Sequence, residues 1–431
     1  MIAAASLVLL LPSALPQEPE TAPDPRLQAL EASVRRILPR IEELRGWKYR
    51  EPVAVGIQTR EEFRESARRM FEKEIGGAEH FRKVQESWRL AGLIPDGLDL
   101  YEAILGLLEA AVGGFYDPDT RTFYMIEGLE EGAMADIIMA HELTHALDDQ
   151  YFGLRSLQEP VKRWTDPSFG VSAVIEGSAT AVMNQYLLEG PSRGWLQMGE
   201  EDLEKMLEEQ EAQLTLLEEY PPWLILSLNL PYIAGNAFLV RTDQALLAAS
   251  RVPSEEDLRG AFAAPPLSSE QVLHPSLYWE KDRRDDPVDV RLPDFSASLG
   301  EDWSLLHEDV LGELACAVLT NEALQDGEPP DITGASGFTT PAAAGWDGDR
   351  IQVYRRVDGA RVGVWALVWD TARDREEFAT AVEEILWLSN PFLREWSQAE
   401  DVVVLYLADA AGKEALPALR RAVEDSRPGW R

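Results

Sequence analysis

The sequence has little cysteine, little histidine and a shortage of basic residues. Cys316 is the only cysteine among 431 residues, which excludes an internal disulfide and leaves the redox compartment open. Acidic residues number 76 against 40 lysines and arginines, and the resulting net charge of −36 disfavours nucleic acid or anionic lipid as a partner. Beyond the N-terminus no apolar run is long enough to form a membrane-spanning helix.

The N-terminus carries one short apolar run. Residues 2–12 are too few to span a bilayer, but they match the apolar core of a secretory signal peptide. We therefore predict a signal peptide over residues 1–16, an acidic, proline-rich linker over 17–25, and export to the periplasm, cell envelope or exterior. Because no cysteine lies near the expected cleavage point, a lipoprotein anchor is not expected.

Two of the five histidines lie in the pentapeptide His141-Glu142-Leu143-Thr144-His145. On a helix, residues four apart share one face, so the two imidazoles can ligate one ion while Glu142 reaches a water on that ion. No proline or glycine interrupts residues 133–152, and Gly153 is a plausible helix end. The alternative is a helix with two partly exposed histidines and a solvated glutamate.

A hydrolytic zinc site usually has three protein ligands and one open position. Residues 171–188 form an apolar run of helical length, and Glu176 is its only acid. A carboxylate in such a helix is costly unless it is paired or bound to metal. We predict that His141, His145 and Glu176 hold one Zn²⁺; the alternative is that Glu176 pairs with an arginine or a helix N-terminus.

The HELTH motif, followed by a helix containing Glu176-Gly177-Ser178-Ala179, resembles the gluzincin branch of the zinc metallopeptidases, which includes the thermolysin-like proteases. From about residue 45 onward the chain also resembles a group of uncharacterised bacterial envelope proteins assigned to the metallopeptidases. The blocks that carry this second resemblance are HELTHALDDQYF, AVIEGSATAVM, LPYIAGNAF, SEQVLHPSLY and AAGWDGDR. Thr180 stands where thermolysin-like enzymes have an aspartate that supports the first histidine, so that role would pass to Asp148, Asp149 or a backbone carbonyl.

The resemblance implies an exported zinc-dependent endopeptidase that acts on a peptide or protein substrate. Glu142 would be the general base, and Tyr232 or His274 would stabilise the oxyanion, with Tyr186 a weaker candidate. One alternative is a zinc amidase that acts on cell-wall peptide or another non-protein substrate. Another is a non-catalytic zinc-containing protein that binds or scaffolds in the cell envelope.

The predicted fold class is α+β and predominantly helical. Residues 26–325 would form a zincin-like metallopeptidase domain, in which a hairpin over 113–126 precedes the motif helix. That hairpin would either pair with an extended substrate or cap the core. Residues 340–431 would form a small α+β domain of order ββαβα. We expect His80 and His307 to lie on exposed, charged helices.

Overall fold

The computed structural model describes residues 24–200, 219–325 and 338–430, together with positions 202, 204 and 208. Over these residues the chain is a predominantly helical α+β protein with one small mixed sheet and one larger antiparallel sheet, which confirms the predicted fold class. A search of the same residues finds no helix with the length and apolarity needed to cross a membrane. The predicted signal peptide, residues 1–16, lies outside the described residues, as does nearly all of the predicted linker.

The first part of the chain surrounds a small sheet with helices. Thr59 and Glu62 form a reciprocal capping box at the start of the second helix, which satisfies two backbone N–H groups there. The elements are α1 (Pro25–Arg45), β1 (Ala54–Gln58), α2 (Arg60–Ile75), α3 (Gly77–Ala91), α4 (Leu100–Ala111), β2 (Gly114–Asp117), β3 (Thr122–Ile126), α5 (Ala133–Phe152), α6 (Leu154–Gln158), α7 (Thr165–Arg193) and α8 (Pro222–Leu239).

The predicted hairpin is present as strands β2 and β3. Asp117 shapes its turn, since its carboxylate accepts hydrogen bonds from the Asp119 N–H at 2.9 Å and the Thr120 hydroxyl at 2.6 Å. The strand order is β1-β3-β2, with β1 parallel and β2 antiparallel to the central β3. Strand β2 is therefore an edge strand, and all four of its residues are buried.

Helices α5, α7 and α8 form the buried centre of the helical part. Residues on every side of α5 are buried up to Asp148, and the helix ends at Gly153, whose φ of 67° is left-handed. Helices α7 and α8 cross at Gly177 and Gly235, where a Cβ on Gly177 would lie 2.2 Å from the Gly235 carbonyl carbon. Only glycine permits so close an approach of two backbones.

The second part of the chain begins with short helices and ends in the antiparallel sheet. Its elements are α9 (Ala245–Ala248), α10 (Glu255–Ala263), α11 (Ser269–Leu273), α12 (Ser276–Trp279), α13 (Ser296–Leu299), β4 (Trp303–Asp309), α14 (Gly312–Thr320), α15 (Glu322–Gln325), β5 (Trp346–Arg356), β6 (Arg361–Trp369), α16 (Ala372–Ala381), a π-helical turn (Val382–Leu386) with a last α turn (Trp387–Ser389), β7 (Leu393–Ala399), β8 (Val402–Ala408) and α17 (Leu416–Ser426). The strand order is β4-β5-β6-β8-β7, and every pair is antiparallel.

Two strands of this sheet, β4 and β7, are absent from the predicted ββαβα order. The expectation for His307 was wrong, because this residue lies on β4 rather than on an exposed helix. Its ring centroid is 6.0 Å from that of His80 on α3, and both side chains are partly buried. This seven-residue strand was mistaken for a helix because it is short and charged, and its burial does not alternate along its length: only its first and last residues are buried.

The large sheet packs against a different hydrophobic core on each of its two sides. Along β6, Trp365 and Leu367 belong to a core shared with the helical part, whereas Val364 and Ala366 belong to a second core covered by α17. This alternation is the period of two expected of a strand buried on both faces. The domain boundaries predicted above stay predictions, and strand β4 lies before the predicted boundary at residue 325.

Candidate metal centre

The HExxH helix and the next long helix bring three potential ligands together. His141 and His145 are one turn apart on α5, and their Nε2 atoms are 2.9 Å from each other. Glu176 projects from α7, with its Oε2 3.2 Å from the Nε2 of His141 and 3.4 Å from that of His145. The histidines are fully buried and Glu176 is only 5% exposed.

These distances fit a single small cation. Zinc bonds of about 2.0–2.1 Å at tetrahedral angles place neighbouring ligand atoms roughly 3.3 Å apart. The three observed separations lie between 2.9 and 3.4 Å, close to that value. Two imidazole nitrogens and one carboxylate oxygen are also the donor set that zinc accepts, and three ligands leave a fourth position open. The residues present therefore fit a zinc ion.

The electrostatics of the three side chains depend on one another. Burial pushes the pKa of Glu176 upward, but the neighbouring imidazoles, His145 foremost, outweigh it and bring the pKa down to about 2. Glu176 is thus a carboxylate at neutral pH. A negative charge in this buried position is stabilised by positive charge at the same place, whether from protonated imidazole or from a bound cation.

Glu142 lies beside this group without joining it. It is fully buried, and its Oε2 accepts a hydrogen bond of 2.9 Å from the backbone N–H of Tyr116 on edge strand β2. The same tyrosine donates its hydroxyl to Asp149 at 3.0 Å, which ties the strand to the last turn of α5. The hairpin therefore orients the carboxylate of the motif, a role that the sequence did not reveal.

Tyr232 is the predicted oxyanion-stabilising residue that the structure brings to the group. Its ring stacks on that of His141 with a centroid separation of 5.6 Å and an interplanar angle of 25°. The pKa of its hydroxyl is raised well above the ordinary value, first by burial and then by Glu176 and Glu142. The Gly177–Gly235 crossing makes this approach possible, since Glu176 and Tyr232 lie on the two helices that cross.

The other two candidates for the oxyanion-stabilising residue, His274 and Tyr186, have different neighbours. His274 hydrogen-bonds through Nε2 to Glu313 Oε1 at 3.0 Å. The hydroxyl of Tyr186 lies 3.0 Å from Arg40 and 3.4 Å from Asp136. No contact found among the described residues joins either side chain to the three ligands, so a catalytic role for them stays a prediction.

The acids after the motif support the helices rather than the histidine rings. Asp148 accepts hydrogen bonds from Arg45 at 2.5 and 3.1 Å and from the Ser178 hydroxyl at 2.6 Å, and all three side chains are buried. It thereby joins α1, α5 and α7 next to the ligands. Within the described part of the chain, neither histidine Nδ1 has a protein hydrogen-bond partner. Sequence patterns could not reveal that Arg45 pairs with Asp148, because the two residues are 103 positions apart in the chain.

Comparisons with known proteins concern only the C-terminal sheet. Residues 304–414 match a family described as "Domain of unknown function (DUF8575)". The matched segment runs from strand β4 to just before α17 and includes none of the metal-centre residues. Searches of curated proteins and of solved structures found no match. The group formed by His141, His145 and Glu176 is therefore interpreted from its own geometry.

Proposed function

We propose that the chain is an exported zinc-dependent endopeptidase, with His141, His145 and Glu176 as zinc ligands and Glu142 as general base. The observation that carries this proposal is the convergence of the three ligand atoms within 2.9–3.4 Å, with a second, fully buried carboxylate, that of Glu142, beside them. A metal site that served stability alone would not need a general base beside its ligands, which is the role that Glu142 would have in hydrolysis. The gluzincin resemblance of the two helices supports the same assignment.

Each residue of the site has a distinct part in peptide hydrolysis. A bound zinc ion would activate a water molecule and polarise the substrate carbonyl. Glu142, oriented by the Tyr116 N–H, accepts the water proton and then delivers it to the leaving amine. Tyr232 stays protonated because its pKa is raised, so its hydroxyl can donate a hydrogen bond to the carbonyl oxygen as negative charge develops there.

The enclosure of the site favours a second candidate function. His141, Glu142 and His145 are fully buried, whereas hydrolysis requires that a substrate reach the metal. On this alternative the chain is a non-catalytic binding or scaffolding protein of the envelope. A zinc amidase for cell-wall peptide would use the same residues as the endopeptidase and would differ only in the substrate that reaches them.

The decisive experiment compares the purified chain with its Glu142→Gln variant. Both proteins are assayed for zinc content and for chelator-sensitive cleavage of an unstructured protein, and Glu159→Gln serves as a matched control at an exposed ion pair. We expect one zinc per chain in all three proteins and loss of cleavage in Glu142→Gln alone.

Two other results would change the assignment. Equal cleavage by Glu142→Gln and the parent chain would refute the role of Glu142. Full zinc content with no cleavage by any of the three proteins would count against a general endopeptidase. In that case cell-wall peptide is tested next, since its hydrolysis would identify the amidase.

A further inference from the structure

A second cluster of acidic side chains lies at one edge of the large sheet. Asp285, Asp347 and Asp370 each place a carboxylate oxygen within 4.8 Å of the others. Asp285 and Asp347 are partly buried and Asp370 is exposed. None of the three belongs to the zinc centre, and the cluster contains no histidine, so its chemistry is that of oxygen ligands alone.

Backbone hydrogen bonds hold the three aspartates in place. Asp347 is at the start of β5, and its carbonyl accepts from the Val288 N–H at 2.6 Å. Asp370 directly follows β6, and its N–H donates to the Gly345 carbonyl at 2.9 Å. The loop residue Asp285 is held because its N–H donates to the carbonyl of Leu277 at 2.8 Å. Three separate segments therefore converge through fixed backbone.

A buried glutamate adds an independent observation that points to a ligand. Glu270 on α11 is 1% exposed, and its Oε1 has no hydrogen-bond partner among the described residues. Glu270 and Asp370 line the same cavity of about 540 Å³. A buried carboxylate oxygen that accepts no hydrogen bond lowers the stability of the folded protein. Glu270 therefore presents an acceptor without a donor at this cavity.

The charges of these acids are crowded. Burial foremost, then Glu313, Asp370 and Asp285, raises the pKa of Glu270 to about 11. Burial, then Asp285 and Asp347, raises the pKa of Asp370 to about 7. Each acid thus makes its neighbours harder to ionise, and a cation placed between them would relieve that repulsion.

We propose that Asp285, Asp347 and Asp370, with Glu270 beside them, bind a hard divalent cation, specifically Ca²⁺. Calcium accepts carboxylate, carbonyl and water oxygens at 2.3–2.6 Å, so two oxygens on opposite sides of one ion are about 4.8 Å apart. One carboxylate oxygen from each of the three aspartates lies within that distance of the other two, so a single ion can contact all three. The ion would clamp the loop that contains Asp285 to the ends of β5 and β6.

The test uses the full chain loaded with zinc and dialysed into calcium-free buffer that contains micromolar zinc, so the proposed catalytic ion is present throughout. Calcium chloride is added up to about 5 mM, the range of weak extracellular sites, and binding is followed by calorimetry and thermal unfolding. At calcium tenfold above its dissociation constant, we expect Tm to rise by roughly 2 °C. Magnesium chloride at equal concentrations should give a smaller rise, because Mg²⁺ demands shorter bonds and gives up its water reluctantly.

Two variants locate the ion. Asp370→Asn should abolish the calcium response, and without calcium it should be at least as stable as the parent chain because one repelling charge is gone. Asp243→Asn is the matched control, since Asp243 is exposed and lines the same cavity outside the cluster. The proposal is overturned if the parent chain shows neither heat nor a Tm shift, or if Asp370→Asn responds as the parent does. An equal response to magnesium would overturn the assignment to calcium.

Discussion

The buried ion pair between Arg45 and Asp148 allows a quantitative test of how the metal centre is held. The two side chains are 2% and 1% exposed, and Asp148 lies three residues after the ligand His145. Its second oxygen accepts from Ser178, two residues after Glu176. The pair therefore connects both ligand helices to α1, and its loss should affect stability and zinc affinity together.

The expected loss in the free energy of unfolding follows from the burial of this ion pair. Among the described residues, Arg45→Met leaves the buried Asp148 carboxylate with the Ser178 hydroxyl as its one hydrogen-bond donor. Removal of one partner of a buried ion pair costs about 3–5 kcal/mol of stability. The double variant Arg45→Met/Asp148→Leu removes both charges and orphans only that hydroxyl, a loss of about 1–3 kcal/mol. It should therefore be more stable than the single variant, although it has lost more hydrogen bonds.

The measurement is urea unfolding of the zinc-loaded proteins, with zinc affinity determined separately by competition with a chromogenic chelator. We expect Arg45→Met to bind zinc about 10- to 100-fold more weakly, as is typical when the support of a ligand is removed. The exposed pair of Arg35 with Glu31 provides the control, and Arg35→Met should change little. A loss below about 1 kcal/mol for Arg45→Met, or a double variant less stable than the single one, would refute this account.

Three further changes test separate parts of the structure. Gly235→Ala would place a Cβ 2.0 Å from the Ala173 carbonyl oxygen, and it should lower both zinc affinity and the rate of cleavage. Gly106→Ala is the control, since its Cβ would lie 3.3 Å from the nearest atom and should change neither property. Tyr232→Phe should retain zinc but lower kcat by about 10²–10³; an unchanged kcat would exclude it as oxyanion donor. Burial foremost raises the pKa of Asp166 from 3.8 to about 8, so its contribution to stability is complete below pH 3.8 and lost as pH rises to about 8. Asp166→Asn should make the free energy of unfolding less dependent on pH over that interval. An unchanged pH dependence would contradict the raised pKa of Asp166.

Local sequence patterns alone predicted the centre of the helical part. The spacing of His141 and His145 requires only one turn of helix to bring both rings to one face, and the uninterrupted residues up to Gly153 supplied that helix. Glu176 was identifiable because a lone acid in an apolar helix needs a compensating charge. The hairpin was likewise predictable from local turn chemistry at Asp117.

Tertiary structure decided everything that depends on residues distant in sequence. Which of Tyr232 and His274 lies beside the ligands depends on the glycine crossing of α7 and α8, which no local pattern encodes. Strand β4 was missed because its hydrogen-bonding partner β5 begins 37 residues after β4 ends. The hydrogen bond from Tyr116 to Glu142 and the Arg45–Asp148 pair arise in the same way, because periodicity reports the face of an element but not the element it will contact.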